Sequence, residues 1–298
     1  MTRSLSVYLV LVTVMSASVA HAQAPQPDPK SPQYRATGEQ DRSYVFPATS
    51  ESIAYHIYVP TKWNATLKLP LVVVTHGANQ PATAPFQRPM TDPTLAKTAE
   101  ARGYIVAAVT GYHANATAVG GWNVPYKMVQ VQKPGGGGGG RGGQGVGRGP
   151  APAPPTEEDF KRAEMDVLYV ADLMAKEYNV DPGRIYLMGN SSGGSAVWTY
   201  ATRYPERWTA IAPSAAPLED EMFPYEKLKT VPVLVIHGDM DTTMVFSASE
   251  TMVEHAKAKG VSATWLPVPG GAHTDAWAQP AIINQIFDFF DAHKTKMK

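Results

Sequence analysis

The chain has 298 residues, 26 basic and 26 acidic side chains, and no cysteine. Balanced charge removes the electrostatic argument for a nucleic-acid or anionic-membrane partner. Missing thiols exclude a cysteine nucleophile, a thiolate metal site and disulfide staples, and the length is sufficient for one large α/β domain stable through its core.

The first predicted element is not part of a fold. Arg3 precedes an apolar stretch over about 5–19, which ends in Ala20-His21-Ala22. A basic head, a short apolar middle and an A-x-A end mark a cleavable signal peptide over 1–22, so a secreted or periplasmic protein is expected. The stretch is shorter than the roughly 20 residues of a spanning helix. No later segment is longer, so no stable membrane insertion is expected after cleavage. Residues 23–40 are polar and proline-rich and predict a disordered lead-in to a domain over 41–298.

Eight strands are predicted, at 44–46, 53–59, 71–75, 104–109, 185–188, 209–212, 233–236 and 263–268. Runs such as LVVVTH, YIVAAV and VPVLVIHG are apolar without alternation, as in parallel strands buried on both faces. Helices are predicted at 93–102, 156–178, 193–203, 247–259 and 280–294, with a short one near 219–229. The second is the best marked: Thr156 is its N-cap with Asp159 three residues on, and Phe160, Val167, Leu168, Ala171 and Met174 recur at helical spacing. Two opening strands followed by strand–helix alternation predict an α/β fold, a mostly parallel eight-stranded sheet flanked by helices. The glycine- and proline-rich tract at 133–155 falls inside that alternation, so it reads as a flexible insertion in one domain rather than a linker between two. It holds two arginines and no interleaved aromatics, which does not make a nucleic-acid segment.

The chemistry begins at IYLMGNSSGGSAVW, residues 185–198, where a strand turns into a helix at Ser191 with Gly189 and Gly193 on either side. Such a turn holds a nucleophile above the sheet, and bulky neighbours would strike strand and helix backbones. A serine needs a base, and the base needs an orienting acid. DMDTTM, after the strand at 233–236, offers Asp239 and Asp241; GAHTDAW, after the strand at 263–268, offers His273. Serine, acid and histidine thus follow in order at strand C-terminal ends, where α/β sheets bind ligands. Ser192 and Ser195 read as capping or packing residues, and His237 as structural. HGDMD lacks further ligands for a metal, so neither metal nor other cofactor is expected. The sequon Asn190-Ser191-Ser192 is set aside, because a glycan there would block the turn.

These motifs resemble the α/β-hydrolase superfamily. The likeness is to secreted esterases of the feruloyl esterase and polyhydroxybutyrate depolymerase type, and to prolyl oligopeptidase-like serine hydrolase domains. It runs from about residue 53 to the C-terminus, broken by the glycine-rich tract, and is most specific in YNVDPGRIYLMGNSSGG. The resemblance implies an α/β-hydrolase fold. It places the acid at Asp241, since IHGDMD is similar to H-G-x-x-D, and GGAH supports His273. VVVTHGANQ looks like the family's strand-end His-Gly, which implies an oxyanion hole from the backbone N–H groups of Ala78 (Asn79 as the alternative) and Ser192. Asn79 and Trp122 are candidate substrate-binding residues, with Trp277 beside them. The implied activity is hydrolysis of a small-molecule or polymeric carboxylic ester through an acyl-enzyme. The chain departs from the pattern at TGYHANATAVGGWNVPYKM and the insertion, which displace a helix, so substrate preferences do not carry over. No β-propeller precedes the strands, which argues against a gated oligopeptidase. Two rivals remain: a peptidase with an anchor in the loop of Glu219, Asp220 and Glu221, and a non-catalytic binding protein on the same fold.

Overall fold

An apolar strand without alternation has no wet face, so both of its sides must be covered. In the computed structural model, β3 (Leu71–Thr75), β4 (Ile105–Val109), β6 (Ala210–Ser214) and β7 (Val233–Gly238) are buried at every position. The structure describes residues 25–294 apart from 79, 81–82, 84–93, 113–121, 123, 133–155 and 275–278. The signal peptide expected at 1–22 and the insertion at 133–155 lie outside the described residues.

Four further strands complete the sheet: β1 (Gly38–Val45), β2 (Ser52–Val59), β5 (Ile185–Asn190) and β8 (Ala263–Val268). The spatial order among the described residues is β1-β2-β4-β3-β5-β6-β7-β8. Strand β2 pairs antiparallel with both β1 and β4, and the remaining pairs are parallel. Alternate side chains feed two apolar layers. Leu71, Val73 and Leu187 face Val167, Val170 and Met174 of α2 (Glu157–Tyr178), and α3 (Ser192–Arg203) and α4 (Phe246–Ala258) join that layer. Val72, Val74 and Val106 face Leu95 of α1 (Thr94–Arg102) and Ile286, Phe287 and Phe290 of α5 (Pro280–Ala292). Among the described residues, no helix is long and apolar enough to cross a membrane.

Helix α2 begins where its capping sequence directs. The Thr156 hydroxyl accepts from the Asp159 N–H at 3.2 Å, and the Asp159 carboxylate accepts from the Thr156 N–H at 2.9 Å, which satisfies two donors that a helix start leaves open. The stretch expected as a short helix near 219–229 forms only a single 3-10 turn, Tyr225–Leu228, because Pro224 stops anything longer before it.

The expected lead-in at 23–40 is corrected at its C-terminal end, since β1 already includes residues 38–40. Polar side chains occupy the first two buried inward positions of this strand, so its opening residues carry no apolar signal. Gln40, Arg42 and Tyr44 face inward. Arg42 Nη2 donates to both Glu177 oxygens of α2, at 3.1 and 2.8 Å, and the Arg35 N–H donates to the same carboxylate at 2.7 Å. Both charged side chains are almost entirely buried, with 6% and 1% of their surface exposed.

Removing one partner of a buried pair leaves the other charge unpaired. Arg42→Met is therefore expected to cost about 3 kcal/mol or more, read as a lower urea midpoint with an unchanged slope, whereas Arg42→Met with Glu177→Leu recovers much of the loss.

Candidate active site

The site is built where β5 stops. Its last residue is Asn190, and Ser191 then takes φ 57° and ψ −125°, a positive-φ conformation that costs a non-glycine residue about 1–3 kcal/mol. Hydrogen bonds hold it there: the Ser191 N–H donates to Ser214 O at 2.9 Å, and the Ser191 carbonyl accepts from the Ser195 N–H at 3.0 Å. The turn is pressed against the end of β3. A Cβ on Gly189 would stand 2.0 Å from Thr75 Oγ1, and one on Gly193 2.3 Å from Thr75 O. Thr75 Oγ1 itself donates to Gly193 O at 2.8 Å. Backbone contact between strand and helix start thus demands glycine on both sides of the serine.

The loops after β7 and β8 bring the partners. Ser191 Oγ lies 2.9 Å from His273 Nε2, and His273 Nδ1 lies 2.8 Å from Asp241 Oδ2. Asp241 Oδ1 accepts the backbone N–H groups of Thr243 at 2.7 Å and Met244 at 3.0 Å, and Oδ2 also accepts from His237 Nε2 at 2.9 Å. Burial alone would push the Asp241 carboxyl up; the donors from His237, His273, Met244 and Thr243 outweigh it and hold the group well below the usual carboxylate range. Asp239, the other candidate acid, faces the neighbouring loop instead, where its Oδ1 accepts from the Gly270 N–H at 2.7 Å. The two loops touch through their backbones, since a Cβ on Gly238 would stand 2.0 Å from Gly271 O and the Met240 N–H donates to that same oxygen at 3.0 Å.

On the other side of the serine, β3 runs into the turn of His76, Gly77 and Ala78. The Gly77 N–H donates to Gln80 Oε1 at 3.2 Å, and burial pushes the His76 imidazole down despite its contacts to the Gly77 and Thr110 carbonyls. Ala78 is half-buried at this turn. Ser192 opens α3, so its N–H has no acceptor within the helix. Asn79 and Trp277 lie outside the described residues. Trp122, expected at a substrate wall, is corrected: it is wholly buried, its Nε1–H donates to His76 O at 2.7 Å, and its ring packs on His76 and Tyr200. An indole beside a small polar turn has one N–H to satisfy, and the nearest carbonyl takes it.

Two contributors to the site were not read from the sequence. A strap over 127–131 forms isolated β-bridges, Met128 with Leu218 after β6 and Gln130 with Met244 after β7. It also exchanges N–H···O bonds with the acid's loop, from Val131 to Thr243 O and from Val245 to Val129 O. His237 is the other addition, and its place before Gly238 in IHG is the signal that could have found it. Among the described residues, no group of three His, Cys, Asp or Glu side chains is placed to hold a metal.

The sheet order, the strand–turn–helix at Ser191 and the flanking layers are those of an α/β-hydrolase. Within that class the chain belongs to the prolyl oligopeptidase family, which matches residues 140–223 and 218–296. Over 90 residues it is 30% identical to the bifunctional acetylxylan esterase/xylanase XynS20E of Neocallimastix patriciarum, a match that spans 30% of this chain and only 13% of that protein. Among solved structures it is similar to a thermostable esterase (TM-score 0.61, 20% identity, 86% of this chain and 63% of that one). It is also similar to a ferulic acid esterase (TM-score 0.61, 15% identity, 85% of this chain and 97% of that one).

Two stability measurements follow from the geometry. Ser191→Gly accepts φ 57° without strain, so it should unfold at higher urea than Ser191→Ala by about 1 kcal/mol. The depressed Asp241 carboxyl stabilises the fold above the unfolded-state value of about 3.9, and that contribution drains as pH falls towards the folded value. The gap in urea midpoint between wild type and Asp241→Asn is therefore expected to be full at pH 6 and to narrow below about pH 4.

Proposed function

We propose that the protein is a secreted serine hydrolase that cleaves carboxylic esters through an acyl-enzyme. The observation that carries this reading is the continuous contact from Ser191 Oγ to His273 Nε2 at 2.9 Å and from His273 Nδ1 to Asp241 Oδ2 at 2.8 Å. In the first step Ser191 Oγ attacks the acyl carbon and its proton passes to His273 Nε2. The bond from that carbon to the alcohol oxygen breaks, and His273 returns the proton to the leaving alcohol. Water then enters, gives a proton to His273 and attacks the acyl carbon, which releases the acid and restores the Ser191 hydroxyl. Asp241 keeps the Nδ1–H tautomer of His273 and stabilises the ring when it is charged. The N–H groups of Ala78 and Ser192 receive the oxyanion, as two donors on opposite sides of the nucleophile. The ester preference is supported by the likeness to the acetylxylan esterase and by the fold shared with the two esterases. Secretion is supported by the arrangement of residues 1–22.

Peptide-bond cleavage by the same residues is a second reading, favoured by the family and by a cavity of about 680 Å³ lined by Tyr126, Glu219, Glu221 and Met222. Exposed carboxylates there would suit a cationic group on a substrate.

The test is an ester panel from acetyl through longer acyl chains, with a feruloyl ester and matched peptide amides. Turnover of esters over amides is expected. Ser191→Ala should lower kcat by about 10⁶ and Asp241→Asn by about 10⁴. Amide turnover matching that of the esters would transfer the protein to the peptidase reading, and undiminished turnover in Ser191→Ala would remove the serine mechanism.

A further inference from the structure

His237 is the penultimate residue of β7, and none of its surface is exposed. Its Nε2 stands 2.9 Å from Asp241 Oδ2, the same oxygen that His273 Nδ1 reaches at 2.8 Å. On its far side, Nδ1 lies 2.7 Å from Ser249 Oγ of α4, and the Phe246 ring of the same helix packs edge-on to it at 5.6 Å. Among the described residues, the titratable groups that face it are Asp241 and, across that carboxylate, His273; α4 offers it the hydroxyl and the phenyl ring. The triad as described has no use for this second histidine.

We propose that His237 is a positioning residue that, with Ser249, governs how much of the Asp241 charge reaches His273. The inference rests on the triad reading above. An ionised carboxylate only accepts, so His237 Nε2 must carry a proton. Ser249 can then donate its hydroxyl to Nδ1, which leaves a neutral ring with both nitrogens satisfied. A neutral donor draws density from Oδ2 without cancelling its charge, whereas a lysine or arginine there would neutralise it. The imidazolium of His273 depends on that charge for its stability. Taking the His237 donor away concentrates the charge on the remaining contact, so His273 holds its proton more tightly and the free base needs a higher pH. It also releases one of the four bonds that fix the carboxylate, and the base behind the nucleophile is held less firmly.

The experiment is the pH dependence of kcat/KM for a p-nitrophenyl acetate substrate, with wild type, His237→Leu, His237→Gln and Ser249→Ala. Active serine is counted with a fluorophosphonate, and folding is followed by thermal melting. The acid limb in His237→Leu is expected to move to higher pH by about half a unit, with the plateau lowered about 10- to 100-fold. Glutamine sets an N–H near the place of Nε2, so His237→Gln should return the limb to its wild-type position. Ser249→Ala removes a hydroxyl and no ring, and should move the limb the same way by a smaller amount. If His237→Leu does not fold, His237→Gln and Ser249→Ala make the comparison. A packing role alone would lower melting temperature and plateau together and leave the limb in place. An unmoved limb in folded His237→Leu or in Ser249→Ala, or a glutamine variant no closer to wild type than leucine, overturns the proposal. A wild type that neither turns over the ester nor takes the label fails earlier, and overturns the triad reading along with it.

Discussion

A carboxylate removed from water must have its oxygens met by donors, and this structure is arranged around one that is. Asp241 has its side chain fully buried and accepts four hydrogen bonds, from two histidines and two backbone N–H groups. Those donors come from the end of β7, from the loop that follows it and from the loop after β8. Each parallel strand therefore has to stop at the right level for the set to close. Buried and unpaired, the same charge would cost several kcal/mol; fully met, it becomes a fixed point from which His273 is aimed at Ser191.

Ser191 is positioned by other means, backbone hydrogen bonds and shape. Contact between the end of β3, the end of β5 and the start of α3 leaves no room for a Cβ on Gly189 or Gly193. The strained dihedrals of Ser191 persist because its neighbours leave the chain no other course. Asp241 and Ser191 thus sit on different kinds of support, donors around a buried charge on one side and close backbone packing on the other, and His273 bridges them.

What sequence can reveal follows this division. Unalternating apolar runs expose β3, β4 and β7, glycine spacing exposes the turn at Ser191, and Thr156 with Asp159 exposes the start of α2. Each signal is local, with cause and consequence a few residues apart. Strand β1 is hidden in part because its first inward positions are Gln40 and Arg42, and the carboxylate that meets Arg42 waits on α2, 135 residues away. The choice between Asp239 and Asp241 is hidden from spacing for the same reason, since both flank one methionine and only the loop after β8 tells them apart. Trp122 misleads in the opposite direction. An aromatic near a glycine pair looks like a binding surface until a carbonyl claims its N–H.

The strap over 127–131 is tied directly to the loop that carries Asp241. It leaves the region between β4 and α2, crosses the strand ends and bonds to Pro217 after β6 and to Thr243 and Val245 after β7. Thr243 is the residue whose N–H supports Asp241 Oδ1, so its carbonyl and its amide serve different masters: one holds the strap, the other the acid. A peptide unit is planar, and turning the Thr243–Val245 backbone to suit the strap turns the donors that face Asp241 as well. The segment that borders the strand ends is thereby coupled to the acid through backbone geometry alone. Change in the side chains of the strap can proceed without disturbing that coupling, so long as the N–H and C=O groups at Val129 and Val131 stay in register. This allows the side chains of the strap to vary in chemistry while the support of Asp241 stays the same.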